Sequence, residues 1–295
     1  MDGPKFLLEA SEAETLAHKS GHTTVLQVLP SLVAPAQALA RPPISNFHVG
    51  AVGLGSSGRV FLGVNLEFPG LPLHNSVHAE QFLLTNLSFH SEPKLHYLAV
   101  SAAPCGHCRQ FLHEIRNAPD IQILVTDNHL NQFDSLSRFL PHRFGPGDLL
   151  DEDVPLLLEH HDNRLCLRTN NGEIHVDDLL RHAALEAANR SHAPYSGCPS
   201  GVALVDCEGK VYKGSYMESA AHNPSLGPVQ AAIVAYVASG GGGYERIVRA
   251  VLVEMEEAKV RQEHTARLLL QVTAPKCEFK LFHCFQTSKK PTSCG

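Results

Sequence analysis

His78-Ala79-Glu80-Gln81, followed further along by Pro104-Cys105-Gly106-His107-Cys108-Arg109-Gln110-Phe111, is the stretch on which the reading of this chain turns. It supplies three zinc ligands, His78, Cys105 and Cys108, and one carboxylate, Glu80, that coordination does not require. A structural zinc is normally closed by four protein groups, whereas a catalytic zinc keeps three and leaves the fourth position to water. Cys105 and Cys108 are one helical turn apart, so at a helix start their sulfurs share a face and can share one metal. A lone Cys-x-x-Cys could equally be a structural zinc knuckle or a redox pair. The order His-x-Glu, then Pro-Cys-x-x-Cys, points to a zinc that does chemistry.

Both segments read as helix starts. Cys108, Phe111, Leu112 and Ile115 recur with helical spacing behind Pro104, a start signal. Ala79, Phe82, Leu83 and Leu87 form a second apolar stripe. Two buried helix starts can therefore face each other, with Glu80 beside the open coordination position. Two thiolates and a neutral imidazole bring Zn²⁺ to a net charge of about zero, which acidifies a bound water less than an all-histidine site does. A separate base is needed, and Glu80 is placed to move the water proton to a substrate nitrogen.

Working outward, residues 47 to 126 give strand (Phe47 to Leu54), a Gly55-Ser56-Ser57-Gly58 turn, strand (Arg59 to Leu66), helix from His78, strand (Leu95 to Ser101), helix after Cys105 and strand (Ile121 to Thr126). This is a ββαβαβ order. The C-terminal half repeats it: strands near Gly201 to Asp206 and Lys210 to Tyr216, helix from Pro228, strand near Ile247 to Glu254, helix around Lys259 to Gln271, strand near Glu278 to Phe285. Pro43-Ile44-Ser45 aligns with Pro194-Tyr195-Ser196, Gly50-Ala51-Val52 with Gly201-Val202-Ala203, and Glu67 with Glu218, which makes a tandem duplication the economical explanation. Helix candidates Leu32 to Leu39 and Val176 to Asn189 precede the two copies. With a one-residue shift, His78 falls opposite Pro228 and Glu80 opposite Gln230, and no Cys-x-x-Cys follows Ile247, so the second copy is expected to hold no zinc.

The chain resembles the cytidine deaminase family. The resemblance rests on Phe47-His48-Val49-Gly50-Ala51, Asn65-Leu66-Glu67-Phe68, the His78 and Cys105 motifs in family order, and Leu140-Pro141-His142-Arg143-Phe144-Gly145-Pro146-Gly147-Asp148-Leu149, which matches the family's linker. The roles of the ligands and of Glu80 are those general to zinc deaminases. The resemblance covers nearly the whole chain and implies the two-domain, homodimeric form. The implied fold is an α/β, three-layer α-β-α domain with a mixed sheet, duplicated in tandem, the second copy without a metal. The implied division is an N-terminal helical segment (1–22), a zinc-binding catalytic domain (23–150), a linker (151–175) and a degenerate domain (176–295). By the same resemblance Phe47 packs on the pyrimidine, the Ala79 backbone N–H meets the ring carbonyl, and Asn65 with Glu67 holds the ribose 3′-hydroxyl. Phe144 reaches the pyrimidine site of the partner subunit. The implied activity is hydrolytic deamination of cytidine and 2′-deoxycytidine to uridine and 2′-deoxyuridine with release of ammonia, in pyrimidine salvage. One zinc per subunit activates the water that attacks C4, and Glu80 shuttles the proton.

Composition bounds the partners. The chain has 295 residues, a formal net charge of −6 and no dense Lys/Arg run, which argues against binding a phosphate backbone without sequence preference. Glu67 near a ribose 3′-hydroxyl would also repel a 3′-phosphate. No apolar run approaches a membrane span, and Met1-Asp2-Gly3-Pro4-Lys5 lacks the pattern of a signal peptide, so a soluble cytosolic protein is expected. The cysteines outside the motif show no disulfide framework. The pair His160-His161, in an acidic connector, is expected to be solvated, and Cys294 to lie on a loose tail. Two other readings stay open from the residues: a deaminase of nucleotides or polynucleotides, and a zinc-stabilised interaction module.

Overall fold

The computed structural model describes residues 5–127, 132–167 and 176–287, the side chains of 176–178 excepted. The Cys294 tail lies outside the described residues. The first half runs β1 (Leu7–Leu8), α1 (Ala10–Lys19), α2 (Val25–Gln37), β2 (Gly50–Gly55), β3 (Val60–Val64), α3 (Ala79–Phe89), β4 (Leu95–Val100), α4 (Gly106–Leu112), β5 (Gln122–Val125), β6 (Asp134–Ser135) and α5 (Leu136–Phe139). The second runs β7 (Leu165–Leu167), α6 (Val176–Asn189), β8 (Ser200–Asp206), β9 (Val211–Ser215), α7 (Pro228–Ala238), β10 (Ile247–Met255), α8 (Glu263–Thr273) and β11 (Glu278–Gln286).

The two halves build sheets of the same design. The first has the order β1-β3-β2-β4-β5-β6 and the second β7-β11-β10-β8-β9. In each, one pair is parallel (β4 with β5, β10 with β11) and the other ladders are antiparallel. Glycines decide where the helices sit. A Cβ on Gly50 would lie 2.6 Å from the Val33 carbonyl of α2, and one on Gly63 would lie 2.2 Å from the Ala79 carbonyl of α3. On β2 itself a Cβ at Gly53 would meet Leu83 of α3 at 3.0 Å. Gly50 and Gly53 are an odd number of residues apart and so point to opposite faces. Helices α2 and α3 therefore cover opposite faces, which is the expected three-layer arrangement. The second copy repeats both approaches, with Gly201 against the Ala184 carbonyl (2.5 Å) and Gly214 against the Pro228 carbonyl (2.2 Å).

Element bounds differ from expectation where proline or a turn misleads. Helix α2 starts at Val25, well before the expected Leu32, because Gln27 turns back to accept the N–H groups of Thr23 and Thr24 at 3.0 and 3.2 Å. Pro30 and Pro35 lie inside it. Each removes one helical hydrogen bond. The helix persists because Val28, Leu29, Val33 and Ala36 are buried. Residues 47–49 belong to a loop rather than to β2, held by side chains described below. Helix α8 begins at Glu263, not near Lys259, since the Gln262 N–H is taken by the buried Glu254 carboxylate at 2.7 Å.

The alignment of the two copies also needs correcting. Leu66 bridges Val77 and Met217 bridges Leu226, so the offset of 151 at Leu66 and Met217 becomes 149 at Val77 and Leu226. The intervening loop is two residues shorter in the second copy. His78, the residue that caps α3, therefore stands opposite Gly227, and Glu80 opposite Val229, not opposite Pro228 and Gln230. Gln230 is the counterpart of Gln81. His161 is likewise not solvated: its Nε2 lies 3.1 Å from the Leu156 carbonyl, and its ring meets that of His192 edge-on at 5.2 Å.

Candidate active site

The three expected ligands converge because two helices begin at one place. His78 is the residue before α3 and Cys105 the residue before α4, both in extended conformation. The Nδ1 of His78 lies 3.5 Å from Cys105 Sγ and 3.3 Å from Cys108 Sγ. The ligand atoms of His78, Cys105 and Cys108 all fall within 4.8 Å of one another, and among the described residues no other such group could hold a metal ion. Cys108 is buried and donates to Glu80 Oε2 at 3.2 Å, and Glu80 is itself only 4 % exposed.

The proton balance of the cluster suits a cation. The Cys108 thiol, and then His78, hydrogen-bond to Cys105 and hold it down at about 3, while the thiolate of Cys105 holds Cys108 well above its ordinary value. A divalent ion held by both sulfurs would displace the Cys108 proton. The hydrogen bond to Cys105 raises His78, and burial raises Glu80. His107 does not close the site as a fourth ligand. Its ring stacks on His78 at 5.4 Å, and its Nε2 faces Gln81 Nε2 at 3.3 Å. Two sulfurs and one imidazole with an adjacent free carboxylate fit a zinc ion bound with an open position.

A pocket of about 460 Å³ opens onto the cluster, within the usual range for small-ligand sites. Phe47, Asn65, Glu67, Ala79 and Glu80 all line it together with His78 and Cys105. A larger hollow of about 630 Å³ between the two halves brings none of these groups together. Glu67 Oε2 accepts the N–H groups of Ile44 (2.8 Å) and Ser45 (2.9 Å), and its Oε1 accepts the Ser45 hydroxyl (2.6 Å). Burial alone would raise its pKa, but these hydrogen bonds outweigh it and hold the carboxyl below the usual range. Asn65 Oδ1 accepts the Val49 N–H and its Nδ2 donates to the Phe47 carbonyl, both at 2.9 Å. The pair therefore shapes loop 44–49 and presents Phe47, which is 59 % exposed, at the pocket mouth. Glu67 retains one lone-pair site and Asn65 one N–H for a ligand.

Phe144 is elsewhere. It is 47 % exposed and lines a separate cleft with Pro141, His142 and His113, while its carbonyl accepts from Gln110 Nε2. Leu73, 71 % exposed, also lines the pocket and carries no signal in the sequence beyond an apolar residue after Pro72. Gln81 was legible only as part of the motif. Its amide reaches the second half of the chain, donating to the Pro224 carbonyl at 3.0 Å.

Comparison with known families agrees with this geometry. Residues 24–124 and 136–267 each match a model of the cytidine and deoxycytidylate deaminase zinc-binding region. "Cytidine deaminase 1" of Arabidopsis thaliana is 63 % identical over 97 % of this chain and 100 % of its own length. "Cytidine deaminase 6" of the same plant is 55 % identical over 88 % and 93 %. The chain belongs to the cytidine and deoxycytidylate deaminase family. "Probable inactive cytidine deaminase 4", also from Arabidopsis thaliana, is 44 % identical over 97 % of this chain and 98 % of its own. Membership and activity are therefore separate matters, and the second must be argued from the residues above. Among the described residues no helix is long and apolar enough to cross a membrane.

Proposed function

We propose that this chain is a zinc-dependent hydrolase that converts cytidine and 2′-deoxycytidine to uridine and 2′-deoxyuridine with release of ammonia, serving pyrimidine salvage in the cytosol. The observation that carries the reading is the Glu80 carboxylate, buried in the same pocket as a three-ligand cluster that leaves one coordination position open. Zinc held by His78, Cys105 and Cys108 would supply a Lewis acid that activates water. Glu80 takes a proton from the attacking water, passes it to N3 of the ring as the oxygen bonds to C4, and then carries the proton of the hydroxyl now on C4 to the amine, so that the C4 carbonyl forms as the C4–N bond breaks and ammonia leaves. Its raised proton affinity, which comes from burial, suits a group that must hold the proton between those transfers.

The remaining residues bind and orient. The Ala79 N–H at the start of α3 donates to the ring carbonyl, and Phe47 packs on the pyrimidine face. Asn65 and Glu67 take the ribose 3′-hydroxyl with the N–H and lone pair that loop 44–49 leaves unused. A 3′-phosphate there would face the Glu67 charge, which favours a free nucleoside over a polynucleotide. We read residues 23–150 as the catalytic domain, preceded by the segment 1–22, and residues 176–295 as a metal-free copy joined through 151–175. Phe47, Leu73 and Phe144 are large apolar side chains exposed in the single chain, which supports a homodimer that covers them, and in that dimer Phe144 would sit on the partner's pyrimidine site. An active monomer in size-exclusion chromatography would contradict that role.

Steady-state kinetics on Glu80→Gln with zinc retained test the proposal. Turnover is expected to fall by at least about 10²- to 10⁴-fold. Near-normal turnover would remove Glu80 from the mechanism.

A further inference from the structure

Gln81 is 2 % exposed, and both ends of its amide have partners. Its Oε1 accepts the backbone N–H of His78 at 3.2 Å. Its Nε2 donates to the Pro224 carbonyl at 3.0 Å and faces His107 Nε2 at 3.3 Å. His107 lies between Cys105 and Cys108 in sequence, with its ring stacked on that of His78. One planar group thus touches the backbone of one metal ligand, the helix that carries the other two, and a carbonyl of the metal-free copy.

The segment that presents that carbonyl is itself fixed. Met217 and Leu226 exchange backbone hydrogen bonds at 3.0 and 2.7 Å, closing the loop between them. Within it the Ala220 N–H donates to Glu114 Oε1 at 2.8 Å, and Glu114, fully buried beyond the end of α4, also takes the Tyr195 hydroxyl at 2.6 Å. In the second copy the Gln230 amide oxygen lies against Gly227, 2.4 Å from where a Cβ there would sit, and there is no ligand to hold. A glutamine at this helix position therefore approaches the residue before the helix in both copies. The contacts to Pro224 and His107 are what connect Gln81 to the metal centre.

We propose that Gln81 is a positioning residue for the metal centre and that the metal-free domain acts through it. The Pro224 carbonyl, which also accepts from the His107 ring, orients the Gln81 amide, and that amide fixes the His78 backbone. The inference rests on His78, Cys105 and Cys108 being the zinc ligands. Removing hydrogen-bond partners just outside a metal's ligands typically weakens binding by about 10- to 100-fold.

The test uses the full chain loaded with zinc, in wild-type form and as Gln81→Met and Gln81→Glu. The first keeps the length and removes all three contacts. The second keeps an acceptor for the His78 N–H but removes both donors and sets a carboxylate against the Pro224 carbonyl. Zinc release to a chromophoric chelator, the visible bands of the cobalt-substituted chain, and melting of the metal-free chain are measured together. Both variants should release zinc at least about tenfold faster and shift the cobalt bands at temperatures well below the melting of their own metal-free chains. Wild-type release and bands in both variants overturn the proposal, as does release that merely follows early melting of the metal-free chain. Wild-type retention in Gln81→Glu alone overturns the part given to Pro224. A wild-type chain that takes up no zinc overturns the ligand assignment and, with it, the role of Gln81.

Discussion

Glu67 and Glu218 occupy equivalent places in the two halves, and their surroundings are nearly superimposable. Glu67 accepts the N–H groups of Ile44 and Ser45 and the Ser45 hydroxyl, and Glu218 accepts those of Tyr195 and Ser196 and the Ser196 hydroxyl. A short distance along, the halves part. The first continues to His78 and Glu80 beside Cys105 and Cys108, the second to Gly227 and Val229. Hydrogen bonds that shape a loop recur in both copies and belong to the fold, while groups present in one copy alone are candidates for chemistry. The comparison also divides Glu67 itself: most of its hydrogen-bonding capacity is spent as Glu218 spends it, and only the remainder is available to a sugar.

The strongest way to break this contrast is to convert the first copy into the second at the two positions that matter. His78→Gly with Glu80→Val should leave the fold, since the second copy folds with those residues, and should abolish stoichiometric zinc. Turnover should drop by more than the roughly 10⁴-fold upper range for a lone general acid or base, because ligand and proton carrier go together. Zinc analysis and kinetics check it, and appreciable turnover in that variant would undo the assignment.

A smaller effect sharpens the division of Glu67. Glu67→Gln and Glu218→Gln each weaken charge-assisted hydrogen bonds, and each should cost about 1.5–3 kcal/mol of stability in denaturant unfolding. Only Glu67→Gln should also raise KM for cytidine, by about tenfold for one hydrogen bond to the sugar. Equal KM values in the two variants would make Glu67 a loop residue and nothing more.

Much of the candidate site could be read from the sequence because its ligand spacing is local: one helical turn separates Cys105 from Cys108, and Glu80 follows its ligand by two residues. The repeat was legible for the same reason at Gly50 and Gly201. The exact register at Gly227 was not, since the loop after Glu218 is two residues shorter and nothing in its composition says where the shortening falls. Helix α2 hid behind Pro30 and Pro35, because burial of its apolar face outweighs two missing hydrogen bonds. The contact of Gln81 with Pro224 joins residues far apart in sequence, and a backbone carbonyl leaves no trace in the residue type.

Two histidines, His161 of the connector and His113 at the end of α4, supply the smallest effect. Burial, followed by the nearby His192, holds His161 down at about 4, and burial holds His113 at about 4 as well. Both stay neutral in the folded chain while the unfolded chain takes up protons below its ordinary value near 6.5. Their contribution to stability is therefore complete above about pH 6.5 and is lost as pH falls toward 4. Thermal melting followed across that window should show the loss, and His161→Gln should flatten it in part. A loss of melting temperature across the window that His161→Gln leaves unchanged would show that His161 contributes nothing to it.

The contrast between the halves requires one metal site per chain, in the first copy, with turnover depending on it. Zinc content of the purified chain, measured alongside cytidine turnover before and after chelation, tests it most directly. One zinc per chain, with turnover lost on chelation and restored on adding zinc, is the expected result. Two zincs per chain, or turnover that survives complete removal of the metal, would contradict it.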